Sequence, residues 1–222
     1  MTSPIALELD GVSVRYRVAL DRHATLKETI VRRRRPRLVE HLALDGVTLA
    51  AAAGEMLGVI GRNGAGKTTL LNVMARVLHP SAGRLRIRGA VAPLIDLFGG
   101  FHPELTGREN AMLRGAFLGL GRAVMRERLD GVAAFAVATS VDADILLIDE
   151  ALGVGDAEFQ IKCAARMDEF RARGVTFVVV SHDVQRLAAS CDRIVWLDAG
   201  RIRADGCPRD VVAQYVNSVH SA

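Results

Sequence analysis

A chain of 222 residues, half of them hydrophobic, is long enough to bury a sizeable core as one large domain, and no low-complexity segment marks it as disordered. The net charge of +4 is mild and no apolar stretch reaches the roughly 18 residues of a membrane span. Met1-Thr2-Ser3-Pro4 also lacks the charged and apolar regions of a leader, so none is expected. Cys163, Cys191 and Cys207 have no metal-ligand spacing, which fits a reduced, cytosolic setting.

In chain order, Ile5 to Asp10 and Val12 to Arg17 alternate apolar and polar residues and predict two strands separated by Gly11. Arg22 to Arg37 is polar and basic, with a short amphipathic stretch, and reads as an insertion between strands. Its run Arg32-Arg33-Arg34-Arg35-Pro36-Arg37 is either a solvated loop or a contact for anionic lipid or a membrane partner. No aromatic interleaving supports base stacking, so nucleic acid is not expected. Leu42 to Leu49 resumes the strand pattern, and Met56 to Ile60 is an apolar run of a buried strand.

That run leads into Gly61-Arg62-Asn63-Gly64-Ala65-Gly66-Lys67-Thr68-Thr69, which fits G-x-x-x-x-G-K-[ST]. Apolar residues Leu70, Leu71, Val73, Met74, Val77 and Leu78 follow at helical spacing, so strand, glycine loop and helix stand in the order a phosphate-binding loop requires. Glycines bring backbone N–H groups close to phosphate oxygens, and the helix N-terminus adds partial positive charge. Lys67 is placed to reach the β- and γ-phosphates and the Thr68 hydroxyl to ligate Mg²⁺. The chain is expected to bind a nucleoside triphosphate with Mg²⁺.

Arg84 to Arg88 predicts a short strand, and Ala90 to Leu105, punctuated by glycine and proline, a long functional loop. Thr106 and Glu109 form a capping signal for a helix continuing to Leu129. Asp144 to Ile148 is an apolar strand of a parallel sheet ending in Asp149 and Glu150, where such sheets bind ligands. Asp149 is placed to hold Mg²⁺, and Glu150 to polarise an attacking water. Val175 to Val180 is a further strand ending in Ser181-His182, from which His182 can approach the γ-phosphate. Ile194 to Asp198, the turn at Ala199-Gly200-Arg201 and Ile202 to Ala204 predict a hairpin, and Asp210 to Val219 a closing helix.

Together these motifs resemble the nucleotide-binding subunit of an ABC transporter over nearly the whole chain. Ala151-Leu152-Gly153-Val154-Gly155-Asp156 resembles that family's D-loop, Ser181-His182 its switch, and Tyr16 lies where the family stacks an aromatic on adenine. Phe101-His102-Pro103-Glu104-Leu105-Thr106-Gly107-Arg108-Glu109-Asn110 resembles the string of the O-antigen, capsule and teichoic-acid exporters. The resemblance implies a mixed α/β P-loop NTPase fold spanning 1–222 as a single ATP-binding domain. It would have a mainly parallel core sheet, an N-terminal antiparallel β subdomain and a shortened helical subdomain at about 100–140. It implies catalytic roles for Glu150, His182 and Asp156, a homodimer trapping two ATP molecules, an integral-membrane permease as partner, and a place on the cytoplasmic face of the inner membrane.

The sequence departs from that family in two places. No glutamine stands in the loop after Arg88, where most of these transporters place one near Mg²⁺. The Ser-Gly-rich signature turn before the Asp149 strand is missing: residues 129–139 run straight across its place, as though a block of roughly two to three dozen residues near 131–136, far beyond a trimmed loop, were lost. Such a loss would remove the half-site supplied in trans, so the alternative expectation is a subunit that binds ATP but hydrolyses it poorly.

Overall fold

The computed structural model describes residues 4–19, 38–94, 109, 112, 116, 143–149, 165 and 167–220. Nine strands and three helices are delimited among them, and residues 109, 112, 116, 165 and 167–172 are also helical. Strands β1 (Ile5–Ala19), β2 (Leu38–Ala52) and β4 (Ala82–Ile87) form an antiparallel sheet in the order β2-β1-β4. Strands β3 (Met56–Ile60), β5 (Val91–Leu94), β6 (Ile145–Asp149), β7 (Thr176–Val180), β8 (Arg193–Asp198) and β9 (Arg201–Gly206) form a second sheet in the order β5-β6-β7-β3-β8-β9. It is parallel except for the β8–β9 hairpin. Helices α1 (Lys67–Met74), α2 (Val184–Ser190) and α3 (Pro208–His220) pack around it.

The continuous apolar runs make this sheet because a parallel strand is covered on both faces. All five residues of β3 are buried, and their side chains divide between two cores. Leu57 and Val59, with Ile145, Leu147, Val178 and Val195, face α1 and the antiparallel sheet. Met56 and Ile60, with Leu146, Ile148, Phe177 and Ile194, face Phe170, Leu187 of α2, and Val211 and Val212 of α3. Helix α1 therefore lies between two sheets, which fixes the loop that precedes it.

Four expectations need correction. Gly11 does not separate a pair of strands: at φ +59° it sits in a bulge of one long strand, where the register shifts between Leu9 and Val12. The missing ladder bonds are replaced by hydroxyls, with Gly11 N–H donating to Thr48 Oγ1 and Gly46 N–H to Ser13 Oγ. Consequently β2 is also longer than Leu42–Leu49, since it follows β1 as far as the Ala19–Leu38 pair. Residues 91–94, expected in a loop, form β5; Pro93 is tolerated because β5 is an edge strand.

Helix α1 stops at Met74, because the left-handed Arg76 (φ +59°) breaks the helical path. Val77, expected on the buried face, is exposed. Of the helical subdomain expected at 100–140, Glu109, Met112 and Ala116 are described, and each is helical. The basic run 32–37 lies outside the described residues, as does the junction near 131–136.

The β8–β9 turn holds Ala199 at φ +46° and Gly200 at φ +78° between paired Asp198 and Arg201. Two left-handed residues match the twist of a two-residue hairpin, but a Cβ at the first costs about 1–2 kcal/mol. Ala199→Gly is therefore expected to stabilise the fold by about 0.5–1 kcal/mol after the added chain entropy is subtracted. A higher midpoint in thermal unfolding checks this.

Candidate nucleotide-binding site

The register of the parallel sheet assembles the site. Val180 of β7 is the partner of both Val59 in β3 and Asp149 in β6. Two residues beyond Val59 the glycine loop begins at Gly61, and two beyond Val180 stands His182. The loop, Asp149 and His182 therefore share the carboxyl edge of three adjacent strands, where open α/β sheets bind ligands.

Gly61 leaves β3 where an added Cβ would collide with the Leu197 carbonyl. Arg62, Asn63 and Gly64 are exposed at the loop tip, and Ala65 is buried beneath them. The Ala65 N–H closes the turn on the Arg62 carbonyl at 3.1 Å. Gly66, at φ +104°, caps the N-terminus of α1, and its carbonyl accepts the first helical bond from Leu70 at 2.8 Å. A glycine is needed there: a Cβ would lie 2.5 Å from the Ala43 carbonyl oxygen.

Lys67 is 8% exposed, and its ammonium donates to the carbonyl oxygens of Gly61 (2.8 Å) and Arg62 (3.1 Å). Those bonds hold a buried cation at the mouth of the loop. The Thr68 hydroxyl points to Asp149, donating to Oδ2 at 3.4 Å. A hydroxyl and a carboxylate are the hard oxygen donors that Mg²⁺ prefers, and a Mg²⁺ site needs few protein ligands because phosphate and water complete it. The absence of any cluster of three His, Cys, Asp or Glu among the described residues therefore does not conflict with such a site.

Thr69, half-buried one residue on, shares a 3.5 Å hydrogen bond with the Tyr16 hydroxyl, in which either oxygen donates. Tyr16 thus stands on β1 beside the first turn of α1. His182 is exposed on the loop after β7, on the rim of a cavity of about 450 Å³ whose apolar wall includes Ile148, Val179 and Leu187. Asp183 caps α2 by accepting from Arg186 N–H at 3.0 Å, which anchors the segment that carries His182. Glu150 and Asp156 lie outside the described residues.

One feature of the site was not anticipated. The β8–β9 turn packs against the loop: Gly200 N–H donates to the Ala65 carbonyl at 3.0 Å. Its residues are some 135 positions from the loop, and no local pattern signals that contact.

Comparison with known proteins decides the family. The ABC transporter family model matches residues 44–96, which hold β3, the glycine loop and α1. The O-antigen export system ATP-binding protein RfbB of Klebsiella pneumoniae is 38% identical over 200 residues, covering 79% of this chain and 81% of that protein. The chain belongs to the ATP-binding subunits of ABC polysaccharide exporters.

Other members of the family extend the likeness. RfbB of Myxococcus xanthus is 39% identical over 204 residues, but the chain spans 47% of its length. The teichoic acids export ATP-binding protein TagH of Bacillus cereus is 35% identical, and the chain spans 36% of it. The 204 aligned positions correspond to 81% of 222 residues, or about 180, so the Myxococcus relative carries positions inside the aligned stretch that this subunit lacks. In fold, the subunit resembles the ATP-binding cassette MJ0796, solved as a dimer in a post-hydrolysis state with ADP and phosphate. The TM-score is 0.70, with 21% identity, over 91% of this chain and 99% of that one.

Proposed function

We propose that this subunit couples ATP binding and hydrolysis to export of a polysaccharide or lipid-linked glycan across the cytoplasmic membrane. The observation that carries the reading is the shared edge of three adjacent strands, on which the loop with its Lys67 ammonium, the Thr68–Asp149 pair and His182 all lie. The exporter relatives supply the substrate class. The N–H groups between Gly61 and Thr69 and the Lys67 ammonium receive the triphosphate, and Tyr16 takes the adenine. Thr68 and Asp149 hold Mg²⁺, which when bound neutralises charge on the phosphates. Glu150 orients the attacking water and His182 faces the γ-phosphate, while Asp156 serves the contact between two copies. The whole chain, 1–222, acts as one ATP-binding domain with a reduced helical part. Its partners are a second copy and a membrane-embedded permease, which place it peripherally on the cytoplasmic face of the membrane. Among the described residues no helix is long and apolar enough to cross a membrane itself.

Asp149→Asn separates the metal role from the loop. It is expected to lower ATP affinity in the presence of Mg²⁺ about tenfold, the loss of one charged contact of roughly 1.4 kcal/mol, and to leave metal-free ATP binding unchanged. Titration calorimetry with and without chelator reads both. For the function as a whole, the tagged subunit should co-purify from detergent-solubilised membranes with a polytopic membrane protein, and Glu150→Gln should stop glycan export in cells without breaking that association. Recovery of the subunit free of any membrane protein, with export unaffected by Glu150→Gln, would refute the export reading.

A further inference from the structure

We infer that Asp45 and Arg201 are positioning residues that set the base-facing sheet against the phosphate loop. This rests on the reading above, in which Tyr16 takes the adenine and the loop takes the phosphates. Those two halves of the nucleotide are held by different sheets. Tyr16 belongs to the antiparallel sheet, where it pairs with His41 of β2, whereas the glycine loop grows out of the parallel sheet. The relative placement of the sheets therefore fixes the distance from base platform to phosphates.

The β8–β9 turn joins them. Gly200 N–H donates to Ala65 in the loop at 3.0 Å, and the Gly200 carbonyl accepts from Asp45 N–H in β2 at 2.9 Å. One residue on, the Arg201 guanidinium grips the Asp45 carboxylate, with Nε donating to Oδ2 at 2.8 Å and Nη2 also in contact. The space around Ala43 of β2 is close: a Cβ on Gly66 would lie 2.5 Å from the Ala43 carbonyl oxygen, and a Cβ on Gly200 would lie 2.8 Å from the same atom. Residues 43–45 thus pack against both the cap residue of the phosphate-binding helix and the hairpin turn, and the Asp45–Arg201 pair adds a side-chain contact to that packing. Arg201 is well exposed, so the pair adds little to fold stability. Its effect is on where the two sheets rest.

The test compares two ligands. Inorganic tripolyphosphate engages the loop alone, whereas ATP engages the loop and the base platform. Asp45→Ala and Arg201→Ala are expected to weaken MgATP binding about 3- to 10-fold in calorimetric titration, with tripolyphosphate affinity changed less than about twofold. The charge swap Asp45→Arg with Arg201→Asp should restore most of the ATP affinity. Equal losses for both ligands would overturn the inference, showing a general distortion of the loop, and so would unchanged ATP affinity in both single variants. Failure of the unsubstituted protein to bind ATP at all would instead sink the function proposed above.

Discussion

Replacing Lys67 with alanine is expected to weaken ATP binding about 10- to 150-fold and to abolish turnover. The side chain is 8% exposed and its ammonium is held on two loop carbonyls, so it is already aimed at the loop mouth before a phosphate arrives. A hydrogen bond to a charged group contributes about 1.5–3 kcal/mol, which converts to that range of affinity. The fold itself should survive, because the aliphatic stem is replaced at the edge of the core and α1 keeps Leu70, Leu71, Val73 and Met74 buried. Competition against a fluorescent nucleotide measures the affinity, and circular dichroism checks the fold. An affinity within threefold of the unsubstituted protein would mean that Lys67 is a structural cap of the loop rather than a phosphate ligand.

Gly66→Ala should be among the most damaging single-methyl additions in the molecule. Its Cβ would stand 2.5 Å from the Ala43 oxygen and 3.1 Å from Leu44 Cδ2, at a φ of +104°. Overpacking against backbone costs about 1–3 kcal/mol and the left-handed conformation about 1–2 more. A total near 2–5 kcal/mol should lower the melting midpoint by about 4–20 °C in a protein of this size, and ATP affinity should fall with it. Gly64 is the internal comparison. It shares a left-handed φ of +81°, but an added Cβ there would meet nothing within 4 Å. Gly64→Ala should therefore cost only the conformational contribution, about 1–2 kcal/mol, or about 2–8 °C. Equal melting shifts for the two variants would show that crowding against β2 contributes nothing.

Much of the fold was legible because its signals are local. The runs Met56–Ile60, Ile145–Ile148 and, but for Thr176, Val175–Val180 are apolar without alternation, and they became the buried centre of the parallel sheet. The glycine loop sits between strand and helix as its spacing requires. Local reading failed where tertiary pairing overrides a breaker. Gly11 looked like a boundary and became a bulge, since hydroxyls of Thr48 and Ser13 could replace the lost ladder bonds. Pro93 looked like loop and entered a strand, since an edge strand needs no donor on its outer side.

In the candidate site, Lys67, Thr68, Asp149, His182 and Tyr16 were proposed from motif spacing and family resemblance, and the structure brings Thr68 to Asp149 and Thr69 to Tyr16. The clasp of Asp45, Gly200 and Ala65 was invisible, because a hairpin turn carries no mark of the loop it will touch.

The most direct measurement is steady-state phosphate release by the purified subunit at saturating MgATP, with Lys67→Ala as the blank. Sustained release that vanishes in the blank and stops when Mg²⁺ is chelated is the predicted result. ATP bound tightly by the unsubstituted subunit, with phosphate release no faster than in the blank, would contradict the account. It would identify instead a nucleotide-binding subunit that cannot complete its own catalytic site.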